Sequence, residues 1–134
     1  MAGTYTWTRL RFGAETPAGE PVGARAVPGV PEHRLAVRAQ VSRSGFFVAP
    51  EVAAAAGVFA DDLNTVRTRA SVTADVAAGH AGIRAGRAVL RPFVRVQNVF
   101  GSDVVGSVVV NARGGRFYEP AAGRSVQAGL SASL

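Results

Sequence analysis

Strict alternation of apolar and polar residues constrains the fold of this chain more than any other feature. The last ten residues, SVQAGLSASL, place Val126, Ala128, Leu130, Ala132 and Leu134 on one parity and serine, glutamine or glycine on the other. Because successive side chains of a β-strand point to opposite faces, this period of two predicts a strand with one apolar and one polar face.

The same period recurs along most of the chain. Residues 34–42, 71–78 and 90–97 alternate clearly, and arginine repeatedly takes the parity opposite the aliphatic residues. Residues 3–13 are rich in threonine and aromatic residues and predict another strand, although the alternation changes phase near Arg9 and Leu10.

The segment GFFVAPEVAAAAG, residues 45–57, permits two interpretations. Phe46, Val48 and Val52 share the parity of a strand face, with Glu51 on the opposite face. The rival is a helical turn that starts with Pro50 at the first helical position and ends at Gly57. Since a helix of about seven residues is marginal without packing, the strand is favoured.

The lengths of the connections predict how about six strands are arranged. Residues 13–32, rich in Pro and Gly, form a long first connection, and the remaining connections are in turn short, long, short and long. In an antiparallel meander, alternate connections lie at opposite ends of the sheet. One end therefore carries tight turns and the other large loops, which is the asymmetry of outer-membrane barrels.

Strand length favours a membrane barrel over a soluble sandwich. The predicted strands have about 9 to 12 residues, and a tilted strand needs about 9–11 residues to cross a bilayer, whereas a soluble strand typically has about 5–6. We therefore predict an all-β fold over residues 1–134: an antiparallel up-and-down meander of about six long strands, part of a transmembrane β-barrel. No apolar stretch is long enough for a transmembrane helix,, and the N-terminus has threonines where a signal peptide is apolar,.

Several segments resemble the C-terminal barrel strands of TonB-dependent outer-membrane receptors. They are PGVPEHRL, FADDLNTV, LRPFVRVQNVFGSDVVGSVVVNARGGRFYEPAAGR and the final AGLSASL. Each element alone is weak, but their order and spacing match the family over nearly the whole chain.

The resemblance implies a set of structural positions in the last extracellular loop and the closing strand. These positions are Asn98, Phe100, Gly106, Asn111, Arg116, Phe117, Glu119, Pro120, Gly123, Arg124 and Leu134. Phe117 and Tyr118 suit a membrane interface, Pro120 is expected to end strand pairing, and we expect Glu119 and Arg124 to form an ion pair. Leu134 departs from the terminal aromatic residue that outer-membrane barrels commonly carry.

The resemblance also implies a function. Receptors of this family import iron–siderophore complexes or cobalamin across the outer membrane of Gram-negative bacteria, with a plug domain and a TonB-binding segment. Neither has a counterpart here, so we expect a barrel fragment that does not transport alone. Its expected partners are outer-membrane lipid and the remaining barrel strands and plug of a full receptor, with TonB reached through the missing N-terminal part.

Other functions find little support in the sequence. There is no cysteine, His33 and His80 are expected near opposite ends of the barrel, and Asp61 and Asp62 suit an acidic loop, so we expect no metal and no cofactor,. Ser102 and Ser107 have no base at an identifiable spacing, so we expect no enzyme. The alternative function is a small basic β-protein that binds single-stranded nucleic acid through the Arg113–Tyr118 stretch. All 15 basic residues are arginine, a bias that resembles base composition more than selection for a nucleic-acid partner, so nucleic acid is not the expected partner.

Overall fold

The computed structural model describes residues 1–13 and 23–134 of the chain. This part is all-β, with ten strands and one short 3₁₀ turn, η1 (Arg113–Gly115). The strands are β1 (Ala2–Trp7), β2 (His33–Arg38), β3 (Val41–Arg43), β4 (Phe46–Ala55), β5 (Ser71–His80), β6 (Ile83–Ala85), β7 (Ala88–Gln97), β8 (Val105–Val108), β9 (Tyr118–Pro120) and β10 (Ser125–Ser133).

Six strands form one antiparallel sheet in the order β1-β2-β4-β5-β7-β10, so each main strand lies beside its neighbours in the chain. The short strands β3 and β6 pair with β4 and β7. A separate hairpin consists of β8 and β9. The prediction of an antiparallel meander of six strands is confirmed.

Strand β4 confirms the extended interpretation of residues 45–57 and explains a break in its neighbour. Pro50 lies within β4, opposite the gap between Arg38, where β2 ends, and Val41, where β3 begins. Proline has no N–H to donate to the ladder, although its carbonyl still accepts from the N–H of Ala39 at 3.0 Å,. The pairing register is the same on both sides of the gap, so β2 and β3 act as one long strand.

The first predicted strand is too long. Pairing with β2 stops at Trp7, just before the phase change near Arg9 and Leu10 that the sequence already displays. Beyond it, an isolated bridge joins Arg11 to Ala26, and scattered backbone hydrogen bonds, such as that from the N–H of Thr8 to the carbonyl of Glu32 at 2.9 Å, replace the regular ladder. Residues 14–22 of the first connection lie outside the described residues.

The ends of the sheet differ as the connection lengths predict. One end carries tight turns, with positive φ at Ser44 (52°), Gly45 (83°) and Gly86 (63°), as primed hairpin turns require. The opposite end carries residues 56–70 and 98–124 and the described part of the first connection. We call these ends the turn end and the loop end.

The sheet is open in the part of the chain that the structure describes. Strands β1 and β10 form its two edges and do not pair with each other. No residue of the ten strands is buried. Among residues 1–13 and 23–134, no helix has the length and apolar character to cross a membrane.

Candidate functional site

The register of the sheet brings the apolar parity of every strand to one face. Val126 of β10 lies opposite Val96 of β7, which lies opposite Val76 of β5. On the same face, nearer the edge formed by β1, Val52 of β4 lies opposite Val37 of β2. Because a slip of one residue would exchange the faces, this agreement across six strands indicates that the apolar face is strongly specified.

The apolar face is broadly exposed. Val126 is 66% exposed, Leu130 65% and Val72 58%, and even Val94, on the inner strand β7, is 42% exposed. No second layer of secondary structure covers them in the described part of the chain. A contiguous apolar surface of this kind marks a site for a membrane or a protein partner.

Ring side chains border the apolar face at both ends. At the loop end lie Trp7 and Tyr5, with the Tyr5 hydroxyl hydrogen-bonded to Nδ1 of His33 at 2.8 Å. At the turn end, Phe46 lies opposite His80, with ring centroids 4.7 Å apart in an edge-to-face arrangement. Between the two borders, the main strands carry mostly aliphatic residues on this parity.

The opposite face of the sheet is polar and carries ion pairs between neighbouring strands. Arg38 of β2 pairs with Glu51 of β4 at 2.6 Å, and Arg95 of β7 pairs with Asp75 of β5 at 3.4 Å. The arginine parity that the sequence predicted is confirmed at both positions. The charges of this face are thus partly balanced across strands.

Close packing occurs in the loops rather than in the sheet. The buried residues of the described chain are Ala26, Pro28, Pro31, Ala60 and Asn98, and all of them lie in the connections at the loop end. We call this group of three packed connections the loop cap. It consists of the described part of the first connection, the middle connection (residues 56–70) and the last connection (residues 98–124). The packing of these connections against one another was not predicted from the sequence.

Backbone hydrogen bonds join the three connections of the loop cap. The N–H of Gly29 donates to the carbonyl of Phe59 at 2.8 Å, and the N–H of Asn111 donates to that of Ala60 at 3.0 Å. The side chain of Asn64 adds two bonds to the backbone of Ala26, at 2.8 and 2.9 Å. The middle connection therefore holds the other two.

Two asparagines from the resembled family motif have well-defined roles here. Asn98, 6% exposed with a φ of 49°, bonds both the N–H and the carbonyl of Ser102 and closes the turn after β7. Asn111 accepts from the N–H of Asp62 at 3.0 Å and donates to the Asp62 carboxylate at 2.8 Å. Asn98 thus shapes the last connection, and Asn111 fastens it to the middle one.

Asp61 organises the middle connection through its hydrogen bonds. Burial alone raises the pKa of its carboxyl, but the N–H groups of Val66 and Thr65, the Thr65 hydroxyl and the nearby charge of Arg25 outweigh that effect and lower the pKa below its ordinary value,. Those donors occupy the carboxylate. In the described residues no three acidic or histidine side chains converge as metal ligands.

The hairpin of β8 and β9 was not predicted, and its two strands contain three of the motif residues, Gly106, Glu119 and Pro120. Gly106 permits close approach of the strands, because a Cβ there would lie 3.0 Å from the backbone of Ala121. Glu119 bonds the hydroxyl of Ser107 across the hairpin. Strand β9 ends at Pro120, although the N–H of Ala121 still donates to the carbonyl of Val104 at 2.9 Å. The alternation of apolar and polar residues is short in these two strands. In addition, β8 pairs with β9 through a bulge.

The predicted ion pair between Glu119 and Arg124 is wrong. Glu119 bonds Ser107 instead, and neither residue is in a salt bridge in the described part of the chain. The Arg124 guanidinium lies beside Gly101, about 3.3 Å from where a Cβ would stand. The two side chains therefore contact different parts of the last connection, Ser107 and Gly101.

The remaining motif residues do not form one site. Phe117 and Tyr118 have ring centroids 6.2 Å apart, next to the exposed Arg116, in the hairpin rather than on the sheet. Phe100, Gly123 and Leu134 are exposed, the last beyond the end of β10. The two histidines lie at opposite ends of the sheet, His33 at the loop end and His80 at the turn end.

A groove of about 560 Å³ lies between the middle and last connections. Its lining includes Arg67, Arg69, Asp103 and Tyr118. The Arg67 guanidinium is engaged, since it lies 5.1 Å from the centroid of the Phe59 ring and donates to the carbonyl of Gly57. In the described part of the chain, none of the lining residues forms a salt bridge. No family model matches the sequence of this chain.

Proposed function

We propose that this chain is a membrane-embedded segment of an outer-membrane β-barrel, with the apolar face toward lipid and the polar face toward the barrel lumen. The observation that carries the proposal is the apolar face itself: it is in register over six strands, exposed, and bordered by aromatic residues at both ends. A membrane barrel has this arrangement, with aliphatic residues outward and polar groups inward.

The height of the apolar face supports the proposal. Phe46 marks the turn end on β4, and ten residues further along the chain the N–H of Ala56 donates to the carbonyl of His33, which lies opposite Trp7. At about 3.3 Å per residue this span is about 33 Å. With a strand tilt of about 40°, its height is about 25 Å, the height of the apolar band of outer-membrane barrels.

The open edges support incorporation into a larger barrel. An unpaired backbone N–H or C=O costs several kcal/mol in hydrocarbon, so β1 and β10 require further strands in a bilayer. The sequence resembles TonB-dependent receptors, which take up iron–siderophore complexes or cobalamin. In this proposal the chain forms part of the barrel wall and of the last extracellular loop of such a receptor. In this proposal the chain is not an enzyme and does not transport alone.

Trp7, the single tryptophan of the chain, provides the test. The chain is refolded from urea into phosphatidylcholine vesicles, and Trp7 fluorescence is measured with lipids brominated at different depths. We expect a blue shift and stronger quenching by bromine near the headgroups than at the middle of the acyl chains, because Trp7 lies at the loop-end border. A cooperatively folded chain in plain buffer, without lipid binding, would contradict the proposal.

The alternative, binding of single-stranded nucleic acid, has one favourable observation. Arg113, Arg116, Phe117 and Tyr118 lie together at and beside the η1 turn, and all but Phe117 are exposed. Salt-dependent binding of an oligonucleotide by the lipid-free chain, lost in Arg113→Ala and Arg116→Ala, would favour this function.

A further inference from the structure

Two arginines near the loop end of the polar face have no carboxylate partner in the part of the chain that the structure describes. Arg34 of β2 and Arg69, two residues before β5, form no salt bridge there. Nearer the middle of the sheet, by contrast, Arg38 and Arg95 form the ion pairs described above. The positive charge of the polar face is therefore balanced in the middle of the sheet and unbalanced where Arg34 and Arg69 lie.

Both arginines line one small cavity. It has a volume of about 150 Å³ and lies between the polar face, the loop cap and strand β8. The polar face contributes Arg34, Ala55 and Ser71, which lie side by side in one row across β2, β4 and β5. The last connection contributes the four residues of β8, Val105–Val108. Strand β8 thus faces the polar side of the sheet across this cavity.

Hydroxyl groups add hydrogen-bond donors to the two guanidinium groups. Ser71 and Thr68 both line the cavity. The Thr68 hydroxyl accepts from the N–H of Val58 at 2.8 Å, so its own hydrogen remains to donate,. Glu119 of the same hairpin accepts from the hydroxyl of Ser107 and is not a lining residue. Among the described residues, the lining therefore carries two positive charges and no negative one.

The size of the cavity and its donors suit a single anionic group. One water molecule takes about 30 Å³ of the liquid, so a cavity of about 150 Å³ holds roughly five non-hydrogen atoms,. A planar guanidinium group binds carboxylate or phosphate oxygens through two parallel hydrogen bonds. Two arginines and two hydroxyl groups thus match an oxyanion of this size.

A second cavity adjoins the first along the polar face. Its volume is about 340 Å³, and it shares Arg34 and Ser71 with the smaller cavity. Thr4 and Thr6 of β1 line it on the sheet, and Val104 lines it from the last connection. This larger cavity has room for a part of a solute whose anionic group occupies the smaller one.

We propose that Arg34 and Arg69 bind a carboxylate or phosphate group of a solute that enters the barrel lumen at the loop end. This inference rests on the membrane-embedded function proposed above, which places the polar face in the lumen, and it adds that the solute is anionic. The group belongs to a solute rather than to a lipid headgroup, because the face that meets lipid is the opposite one.

Equilibrium dialysis with radiolabelled phosphate and radiolabelled citrate tests the site. The chain is refolded into micelles of dodecyl maltoside, an uncharged detergent without phosphate, at constant ionic strength. Arg34→Gln and Arg69→Gln each remove one guanidinium group. Arg91→Gln is the matched control, since Arg91 lies on the same polar face but bonds Ser133 at 3.0 Å and lines neither cavity. Trp7 emission in the same micelles reports insertion of the apolar face.

We expect at least one of the two anions to bind, and each of Arg34→Gln and Arg69→Gln to weaken its binding about tenfold or more, because each variant removes charge-assisted hydrogen bonds. Arg91→Gln should weaken binding less than about twofold, since it removes only a distant, exposed charge. The anion that binds more tightly identifies the class of group.

Two results would overturn the anion site and leave the membrane function standing: a blue-shifted Trp7 with no binding of either anion, or equal loss of binding in all three variants. Binding that depends on Arg34 and Arg69 without a blue shift of Trp7 supports the arginine site and overturns the membrane function.

Discussion

Arginine placed on one face of the sheet should cost far more than arginine placed on the other. Ala74 of β5 lies on the apolar face opposite Val52, and Ala53 of β4 lies on the polar face opposite Thr73, one row away. Both positions lie at nearly the same depth of the sheet. Ala74→Arg and Ala53→Arg therefore introduce the same side chain at the same depth on opposite faces.

The size of the difference follows from the surroundings. Arginine facing lipid near the bilayer midplane costs about 2–4 kcal/mol, and Ala74 is the fourth of the ten residues of β5, so we expect about 2–3 kcal/mol for Ala74→Arg. In Ala53→Arg the new guanidinium shares its face with Glu51, two residues earlier, and an exposed pair of this kind contributes about 0–1 kcal/mol. That variant should be within about 1 kcal/mol of the natural chain.

Urea unfolding from phosphatidylcholine vesicles, followed by Trp7 emission, measures both variants against the natural chain. Equal costs for the two substitutions, or a larger cost for Ala53→Arg, would refute the assignment of the faces. Folding of the natural chain without lipid would refute it more directly, because the apolar face would then be covered by protein.

Three further substitutions or conditions probe the packing. Gly79→Ala should destabilise the vesicle-bound sheet by about 1–3 kcal/mol, because its Cβ would lie 2.6 Å from a backbone oxygen of the neighbouring strand; Gly123→Ala, with nothing within 4 Å, is the neutral control in the same urea titration. Asn98→Ala should cost about 1–3 kcal/mol by leaving the N–H and carbonyl of Ser102 unpaired, and hydrogen exchange of the Ser102 amide measures the loss. Asp61 has a folded pKa below its ordinary 3.8, so its stabilisation of the loop is complete above that pH and disappears as the pH falls through the folded pKa; NMR titration of the Asp61 carboxyl carbon checks the direction, and a midpoint above 3.8 would contradict it.

Strand existence and order were predictable because the apolar period of two is a local signal. In β4, Phe46, Val48 and Val52 keep one parity although Pro50 and the alanines also permit a helical turn, and the ladder partners on both sides stabilise the extended form. The end of β1 was less predictable. The sequence shows the phase change near Arg9, but only the pairing with β2 determines that the strand stops at Trp7.

The loop cap was not predictable, because its contacts join residues far apart in the chain. Asn111 and Asp62 are separated by 49 positions and Asn64 and Ala26 by 38. No periodicity connects them, and each asparagine alone suits any turn. The β8–β9 hairpin was missed for a related reason, since its two strands have only four and three residues.

The sheet and the loop cap obtain their stability from different sources, and this determines how they depend on each other. The sheet buries none of its own side chains, so its apolar face gains free energy only from surroundings that exclude water,. The loop cap is satisfied internally by its backbone and asparagine hydrogen bonds. Those bonds join three connections that only the ordered sheet brings to one end. A surrounding that stabilises the apolar face of the sheet therefore also stabilises the loop cap, without contacting it.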